Sequence, residues 1–205
     1  MAHVPVCRHD PVAMNQTTLS ATDPPGPADS AIARRHVVFS HGQASGPWGR
    51  KISALAEVAR GEGYEAHSVD YRGSDDPRAR IAKLAEFCQD LTGELVLVGS
   101  SLGGYVAVAS ASMLHARGIF LMAPALYFPE LPPLREGVVD CSAAVVHGWH
   151  DEVVPYEHSV RFAQSCRAAL HILDSDHNLH NQIHVIQYLF EYFLIALDLP
   201  ALAFE

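Results

Sequence analysis

In the middle of the chain a strand and a helix follow each other with almost no connection between them. Residues 94–99 are the strongest strand pattern in the sequence, and a helix rich in small residues is predicted over about 102–114. The turn at 99–103 reads Gly-Ser-Ser-Leu-Gly and fits the pattern GxSxG. Such a turn presents a serine at its apex, and its glycines are needed because side chains there would collide with neighbouring backbone. We therefore predict that Ser101 is a nucleophile, with Ser100 as the neighbouring alternative.

Strand and helix patterns alternate through the rest of the chain. Short apolar runs predict six strands, at 36–40, 65–70, 94–99, 118–122, 142–147 and 168–173. Helices are predicted around them: one with Pro47 in its first turn, and others near 81–91, 102–114, 156–167 and 183–197. Strands that are apolar throughout are typical of a parallel sheet covered on both faces. The sequence predicts an α/β domain, a three-layer α/β/α sandwich with a mostly parallel sheet of about six strands.

A serine hydroxyl attacks only when a base takes its proton, and the base needs an acidic partner to orient it. With this kind of turn, the acid follows a late strand and the base follows the last strand. Asp151 comes directly after the fifth predicted strand; Glu152 is its close rival, and Asp140 lies before that strand. His177 lies in the loop after the last strand, with His180 as the alternative. The sequence thus predicts a catalytic triad of serine, Asp151 and His177.

Two backbone N–H groups are candidates for an oxyanion hole. The Leu102 N–H begins the helix after the serine, and the Gln43 N–H lies in the loop after the first strand. His41 lies in the same loop. We expect His41 to support the loop through hydrogen bonds rather than to act as a base.

A metal site is the alternative interpretation of the last loop. Acidic and histidine residues cluster there: Asp174, Asp176, His177, His180 and His184. Two asparagines indicate a turn rather than one helix face, and the sequence contains no HExxH pattern. We therefore expect neither a metal nor another cofactor.

Charge and composition argue against several functional classes. The 14 basic and 23 acidic residues give a formal net charge of −9, whereas nucleic-acid binders usually present a basic face. No apolar run is long enough to span a bilayer, and no basic start precedes an apolar run as in a secretory signal. The four cysteines are scattered without a CxxC pair. These features predict a cytoplasmic protein with reduced thiols.

The first residues differ from the rest of the chain. Residues 1–34 contain five prolines and no periodic apolar pattern. We predict a disordered or loosely ordered tail over 1–34 and a folded domain over 35–205.

Several motifs together resemble the α/β-hydrolase superfamily, and within it the small bacterial serine esterases with a GSSLGGY turn. The matching segments are SHG at 40–42, GSSLGGY at 99–105, MAPAL at 122–126, HDEVVPY at 150–156 and DSDHNL at 174–179. The resemblance begins at about Arg35 and implies an acyl-enzyme mechanism with Ser101, Asp151 and His177 as the triad. The histidine loop departs from the family's pattern, because it lacks the usual glycines. The two further N-terminal strands of the full fold also have no candidates in the tail.

The connection at 123–141 is short where larger relatives carry a helical cap. We therefore expect a lidless, open site for small carboxylic esters or thioesters, with Tyr71, Tyr127 and Phe128 as candidate pocket walls. An acyltransferase with the same triad and a non-catalytic binding protein of the same fold are the alternative functions. The helix at 183–197 is apolar on nearly every face, which indicates either complete burial or a homodimer interface.

Overall fold

The computed structural model describes residues 34–134 and 139–199. The strands are β1 (Arg35–Ser40), β2 (Glu65–Val69), β3 (Glu94–Ser100), β4 (Gly118–Met122), β5 (Ser142–Gly148) and β6 (Ala169–Leu173). The helices are α1 (Arg50–Gly61), α2 (Pro77–Cys88), α3 (Leu102–Ala111), α4 (Tyr156–Cys166) and α5 (Ile183–Leu197), with a 3₁₀ turn at His180–Gln182. The predicted tail lies outside the described residues, apart from its last residue.

The six strands form one sheet in the order β2-β1-β3-β4-β5-β6, and every neighbouring pair is parallel. Ser40 at the end of β1 is opposite Gly99 near the end of β3, and Ser100 is opposite Met122. The carboxyl ends of the strands therefore meet at one edge of the sheet. The loops that leave this edge carry the residues predicted to do chemistry.

Helices cover both faces of the sheet because successive strand residues point in opposite directions. Ile119 of β4 belongs to a core cluster with Val106 of α3, on the face that also holds α2 and α4. Its neighbour Phe120 packs on the other face with Leu55 of α1 and Phe190 of α5. The predicted three-layer sandwich is confirmed.

Helix α5 is only partly buried. Its inner face packs in the core through Ile183, Ile186, Phe190, Phe193 and Leu194. Its outer face exposes Val185, Tyr188, Tyr192 and Ile195. Burial explains the apolar residues of the inner face, and the homodimer interface stays a prediction for those of the outer face.

Two connections decide how open the site is. The first helix begins at Arg50 instead of enclosing Pro47 in its first turn. Residues 46–49 form a loop in which the Gly49 N–H donates to Gly46 O (3.4 Å). The connection from β4 to β5 has no helix in its described parts, at 123–134 and 139–141, so the sandwich carries no cap there. No helix among the described residues is long and apolar enough to cross a bilayer.

Candidate active site

Ser101 lies at the apex of the turn between β3 and α3, with φ 54° and ψ −122°. A positive φ is uncommon for a residue with a side chain and persists only where the surroundings enforce it. The Ser101 N–H donates to Met122 O (3.0 Å), and its carbonyl accepts from the N–H groups of Gly104 (2.8 Å) and Ala125 (3.0 Å). These bonds hold the strained turn from both sides and leave the serine side chain at the carboxyl edge.

The glycines beside this serine are required by close backbone contacts. A Cβ at Gly99 would lie 2.5 Å from Gly103 O. A Cβ at Gly103 would lie 2.0 Å from Ser40 O. Helix α3 therefore packs against the backbone of β1 and β3, at a distance that only glycine permits.

Asp151 is held by four hydrogen bonds in a fully buried side-chain position. Its Oδ1 accepts from the backbone N–H groups of Val153 (2.9 Å) and Val154 (2.8 Å). Its Oδ2 accepts from His177 Nδ1 (2.7 Å) and His147 Nε2 (2.9 Å). Both carboxylate oxygens are thus fixed, and Asp151 rather than Glu152 or Asp140 is the acid that reaches His177.

The hydrogen bonds determine the charge of this carboxyl group. Burial by itself would raise the pKa of Asp151, but the bonds from His147, His177 and the two backbone N–H groups lower that pKa well below its usual range. Asp151 is therefore ionised at neutral pH. An ionised acceptor orients His177 with Nδ1–H towards the acid, which leaves Nε2 as an acceptor.

His147 is a site residue that the sequence did not reveal. It is fully buried near the end of β5, where its Nδ1 accepts from Ser159 Oγ of α4 (2.6 Å) and its Nε2 donates to Asp151. The Val154 carbonyl lies 3.0 Å from the same Nε2. The available signal was its position at a strand end, four residues before the predicted acid.

The loop after β1 lies directly over the serine. A Cβ at Gly42 would lie 3.3 Å from Ser101 Cβ. Next to it, the Gln43 N–H has no acceptor among the described residues, and neither does the Leu102 N–H at the start of α3. Both predicted oxyanion donors thus lie in segments that adjoin Ser101, without an acceptor in the described part of the chain.

His41 fixes the shape of this loop, as the sequence predicts. Its ring is fully buried, its Nε2 accepts from the Tyr71 N–H (2.8 Å), and its Nδ1–H donates to Gly42 O (2.7 Å). Burial lowers the pKa of His41, which favours this neutral tautomer. Because both ring nitrogens are occupied, His41 is not available as a base.

A buried arginine of α2 forms a hydrogen bond with the loop that contains His41. Arg80 is 1% exposed, and its Nε donates to Ser74 O (2.6 Å). One of its terminal nitrogens donates to His41 O (3.1 Å), and the guanidinium lies 5.1 Å from the Tyr71 ring centroid. This residue was also missed, because an arginine in a helical pattern is normally expected at the surface.

The three aromatic residues expected as pocket walls lie elsewhere. Tyr71 is fully buried in the core, and its hydroxyl lies 2.9 Å from Ser40 Oγ. Tyr127 and Phe128 pack edge-on against His158, with centroid distances of 5.9 and 5.2 Å. None of the three is among the residues that line the cavity shared by Ser101 and His177. A strand-end position does not determine whether a ring turns inward to the core or outward to the cavity.

Ser101 and His177 line one open cavity of about 700 Å³. The other walls come from the loop at 42–46, the first turn of α1 at 49–52, Val153 and the histidine loop. His180 also lines this cavity, but His177 is the histidine bonded to Asp151.

Lys51 is a further member of the cavity wall that no motif singled out. It is half-buried near the start of α1. Burial lowers the pKa of Lys51 to about 8, although the charges of Asp151 and Asp176 oppose this shift. The cavity therefore contains an ammonium group near the proposed nucleophile.

Potential metal-ligating atoms converge at a different place from the last loop. Among the described residues, the side chains with converging ligand atoms are instead His36, Glu65 and His67, within 4.8 Å of one another. They lie on β1 and β2, at the opposite end of these strands from Ser101. His36 Nε2 lies 3.2 Å from Thr92 O and His36 Nδ1 lies 3.2 Å from His67 Nε2, so hydrogen bonding satisfies His36 on both sides.

Comparison with known proteins gives matches over most of the chain. The model of the alpha/beta hydrolase family matches residues 37–197. A protein of the alpha/beta hydrolase superfamily from Xanthomonas campestris is 32% identical, with a TM-score of 0.73 over 80% of this chain and 99% of that one. Est1E from Butyrivibrio proteoclasticus (20% identity, TM-score 0.69, 80% and 88% covered) and an alpha-beta serine hydrolase homologue from Coxiella burnetii (17%, 0.67, 78% and 85%) share the fold. No curated protein sequence matches.

Proposed function

The chain belongs to the alpha/beta hydrolase family, and we propose that it is a serine hydrolase that cleaves small carboxylic esters or thioesters. The observation that carries this proposal is the 2.7 Å hydrogen bond from His177 Nδ1 to Asp151 Oδ2, beside a cavity that His177 shares with Ser101. An oriented base next to a strained serine is the arrangement that nucleophilic acyl transfer requires.

Acylation follows from the roles of these groups. His177 Nε2 takes the hydroxyl proton of Ser101 as Ser101 Oγ attacks the acyl carbonyl, and Asp151 stabilises the imidazolium that forms. The carbonyl oxygen becomes an oxyanion that accepts from the Gln43 and Leu102 N–H groups, each worth about 3 kcal/mol in such sites. The imidazolium then donates its proton to the departing alkoxide or thiolate, which leaves an acyl-enzyme.

Deacylation uses the same base. A water molecule loses a proton to His177 Nε2 and attacks the acyl-enzyme carbonyl, and the same two N–H groups stabilise the second oxyanion. Collapse of this intermediate releases the carboxylic acid, and the proton returns to Ser101 Oγ. Two observations support the hydrolysis of small substrates. The cavity is open, and the described parts of the connection from β4 to β5 contain no helix that could form a cap.

The proposal is tested with p-nitrophenyl esters from acetate to dodecanoate. We expect hydrolysis by the wild type with an optimum at short chains, and a loss of about 10³-fold or more in Ser101→Ala, because the nucleophile is absent. Ser112→Ala is the matched control, since Ser112 is an exposed serine at the far end of α3 and its substitution leaves the rate unchanged.

An enzyme with narrow substrate specificity could fail to hydrolyse these simple esters. A fluorophosphonate probe, followed by peptide mass spectrometry, tests for the activated serine in that case. Labelling of Ser101 in the wild type supports an activated nucleophile even when no simple ester is hydrolysed. Absence of both hydrolysis and labelling contradicts the proposal and favours a binding protein. Undiminished ester hydrolysis by Ser101→Ala would assign the nucleophile elsewhere.

A further inference from the structure

The cavity wall formed by α1 carries a cation that has no partner among the described residues. Lys51 lines the same cavity as Ser101 and His177, and it is half-buried. Within residues 34–134 and 139–199, its ammonium group forms neither a hydrogen bond nor an ion pair. Withdrawing a charge from water is unfavourable unless a partner compensates it. A substrate group of opposite charge would supply that compensation.

The backbone around Lys51 adds donors to the same wall. Helix α1 has Gly49 as its N-cap, so no side chain caps it, and the first intrahelical bond is from the Ser53 N–H to Gly49 O. The N–H groups of 50–52 are therefore among the unsatisfied donors of the helix, and these residues line the cavity. Arg50 adds an exposed positive charge at the rim, and none of the described residues that line the cavity is acidic.

Two carboxylates approach Lys51 without neutralising it. Asp151 and Asp176 both act on its charge, but neither lies within ion-pair distance of the ammonium. The oxygens of Asp151 are occupied by the four donors described above. Asp176 Oδ1 accepts from the N–H groups of Asn178 (3.0 Å) and Leu179 (3.1 Å). Both acids thus have other structural roles, and the cavity-facing charge of Lys51 is left for a ligand.

We propose that Lys51, together with the N-terminal turn of α1, forms a subsite for a carboxylate on the substrate, so that the enzyme prefers esters or thioesters bearing a negative charge. This inference rests on the proposed hydrolase function. The Lys51 ammonium and the N-terminus of α1 both attract negative charge, and a carboxylate is the anionic group that we assign to the subsite. A neutral ester occupies the same cavity without this contact.

The subsite has a characteristic pH dependence. Because the pKa of Lys51 is lowered to about 8, its charge is lost as the pH rises through 8, and the preference for anionic esters declines there. An arginine stays protonated over this range, so Lys51→Arg retains the preference. The titratable and charged groups that line the cavity together with Lys51 are Arg50, His177 and His180. Asp151 and Asp176 do not line it but act on the charge of Lys51.

The test compares esters that differ in charge. Mono-p-nitrophenyl adipate is paired with p-nitrophenyl hexanoate, and 4-acetoxybenzoate with its methyl ester, so that the carboxylate lies on the acyl side or on the leaving group. We expect the wild type to have a higher kcat/KM for the anionic ester than for the neutral ester in at least one pair. In Lys51→Met the anionic-to-neutral ratio of kcat/KM falls about 10-fold, mainly through KM, and Lys51→Arg restores it. Lys83→Met, which changes the exposed lysine of α2, leaves the ratio unchanged.

Each contrary outcome has a distinct meaning. The neutral esters could be hydrolysed while Lys51→Met leaves the anionic-to-neutral ratio of kcat/KM unchanged for both pairs. That result overturns the subsite and leaves the hydrolase function unaffected. An equal loss on both members of a pair also overturns the subsite, because Lys51 would then act on the fold or on the chemistry. Preference for a phosphonate analogue of the adipate ester overturns the carboxylate assignment. No hydrolysis and no labelling of Ser101 means that the proposed function has failed.

Discussion

Asp151 shows how one residue's surroundings set the chemistry of this site. A buried carboxyl group without donors would hold its proton and could not stabilise an imidazolium. Four hydrogen bonds reverse that tendency, and two of them come from histidines on different loops or strands. The second histidine, His147, has its other nitrogen bonded to Ser159 Oγ, so it acts as a fixed donor rather than as a base. His147 is therefore a positioning residue for the acid.

Replacing His147 tests this role. We expect His147→Leu to lower kcat for ester hydrolysis about 10-fold with little change in KM, since a hydrogen bond to a charged group contributes about 1.5–3 kcal/mol. The loss of kcat that accompanies protonation of Asp151 should begin at a higher pH in the variant, because Asp151 loses a donor that lowers its pKa. His147→Gln keeps an N–H donor and should recover part of the rate.

A purely structural role of His147 would give a different result. Lower thermal stability of His147→Leu with an unchanged pH profile, or an equal loss in the Gln variant, would contradict a specific effect on Asp151. Ser159→Ala provides a milder version of the same test, because it removes the partner that sets the His147 tautomer.

Sequence position predicted the residues whose roles depend on chain order. Ser101, Asp151 and His177 each follow a particular strand, and the alternation of elements reveals which strand that is. Arg80 contacts segments that are far from it in sequence, and Lys51 lines a cavity enclosed by several elements. Because a basic residue on a helical pattern has no local feature that separates a buried position from an exposed one, only the fold could reveal them.

At the scale of elements, α3 is positioned by its glycines rather than by a hydrophobic stripe. Nearly all of its residues are buried, so no amphipathic face determines its rotation. Instead Gly103 and Gly104 let its first turn approach β1 and the segment after β4, where added Cβ atoms would lie 2.0 Å from Ser40 O and 2.6 Å from Pro124 Cβ. The strained serine is the consequence of this close approach.

A single methyl group should disrupt that contact. We expect Gly103→Ala to lower the free energy of unfolding by at least about 2 kcal/mol, because its Cβ meets rigid backbone that cannot move aside. Gly61→Ala is the matched control, since no atom lies within 4 Å of its added Cβ, and its stability should stay within about 1 kcal/mol of the wild type. Urea unfolding followed by circular dichroism measures both.

Where Gly103→Ala gives no soluble protein while Gly61→Ala does, the comparison supports the same conclusion. A Gly103→Ala protein as stable as the wild type would contradict the close packing of α3 on β1. Retained ester hydrolysis would contradict it further, because the serine turn depends on this contact.

The elements themselves were well predicted, and their errors have physical causes. All six strands were expected within a residue or so, because continuous apolar runs in a parallel sheet are distinctive. The start of α1 was misplaced, because a proline is compatible both with a helical first turn and with the loop that it occupies here. That loop and the first turn of α1 form part of the cavity wall, so an incorrect start of α1 meant that this wall was not predicted.

At the scale of the whole molecule, the two ends of the strands have different electrostatic characters. The carboxyl edge holds the cavity with Ser101, His177 and Lys51. Towards the amino end of β1 and β2, His36 and His67 are bonded to each other beside Glu65. Burial lowers the pKa of His67, the nearby His36 lowers it further, and Glu65 opposes both effects. Protonation of His67 at low pH should therefore destabilise the sheet at a place away from the candidate active site.

Stability should fall as the pH decreases from about 6.5. A histidine whose pKa is lower in the folded state than in the unfolded state, where it is about 6.5, favours folding most above pH 6.5. That contribution is lost as the pH falls through the folded-state pKa values of His67 and His41, because the unfolded chain then binds more protons. The carboxyl group of Asp151, with a reference pKa of 3.8, adds its own loss only at still lower pH. Calorimetric Tm values between pH 7.5 and 4.5 should therefore decline below about 6.5, and less steeply in His67→Gln; a Tm that stays flat or rises on acidification would contradict the destabilising protonation of these histidines.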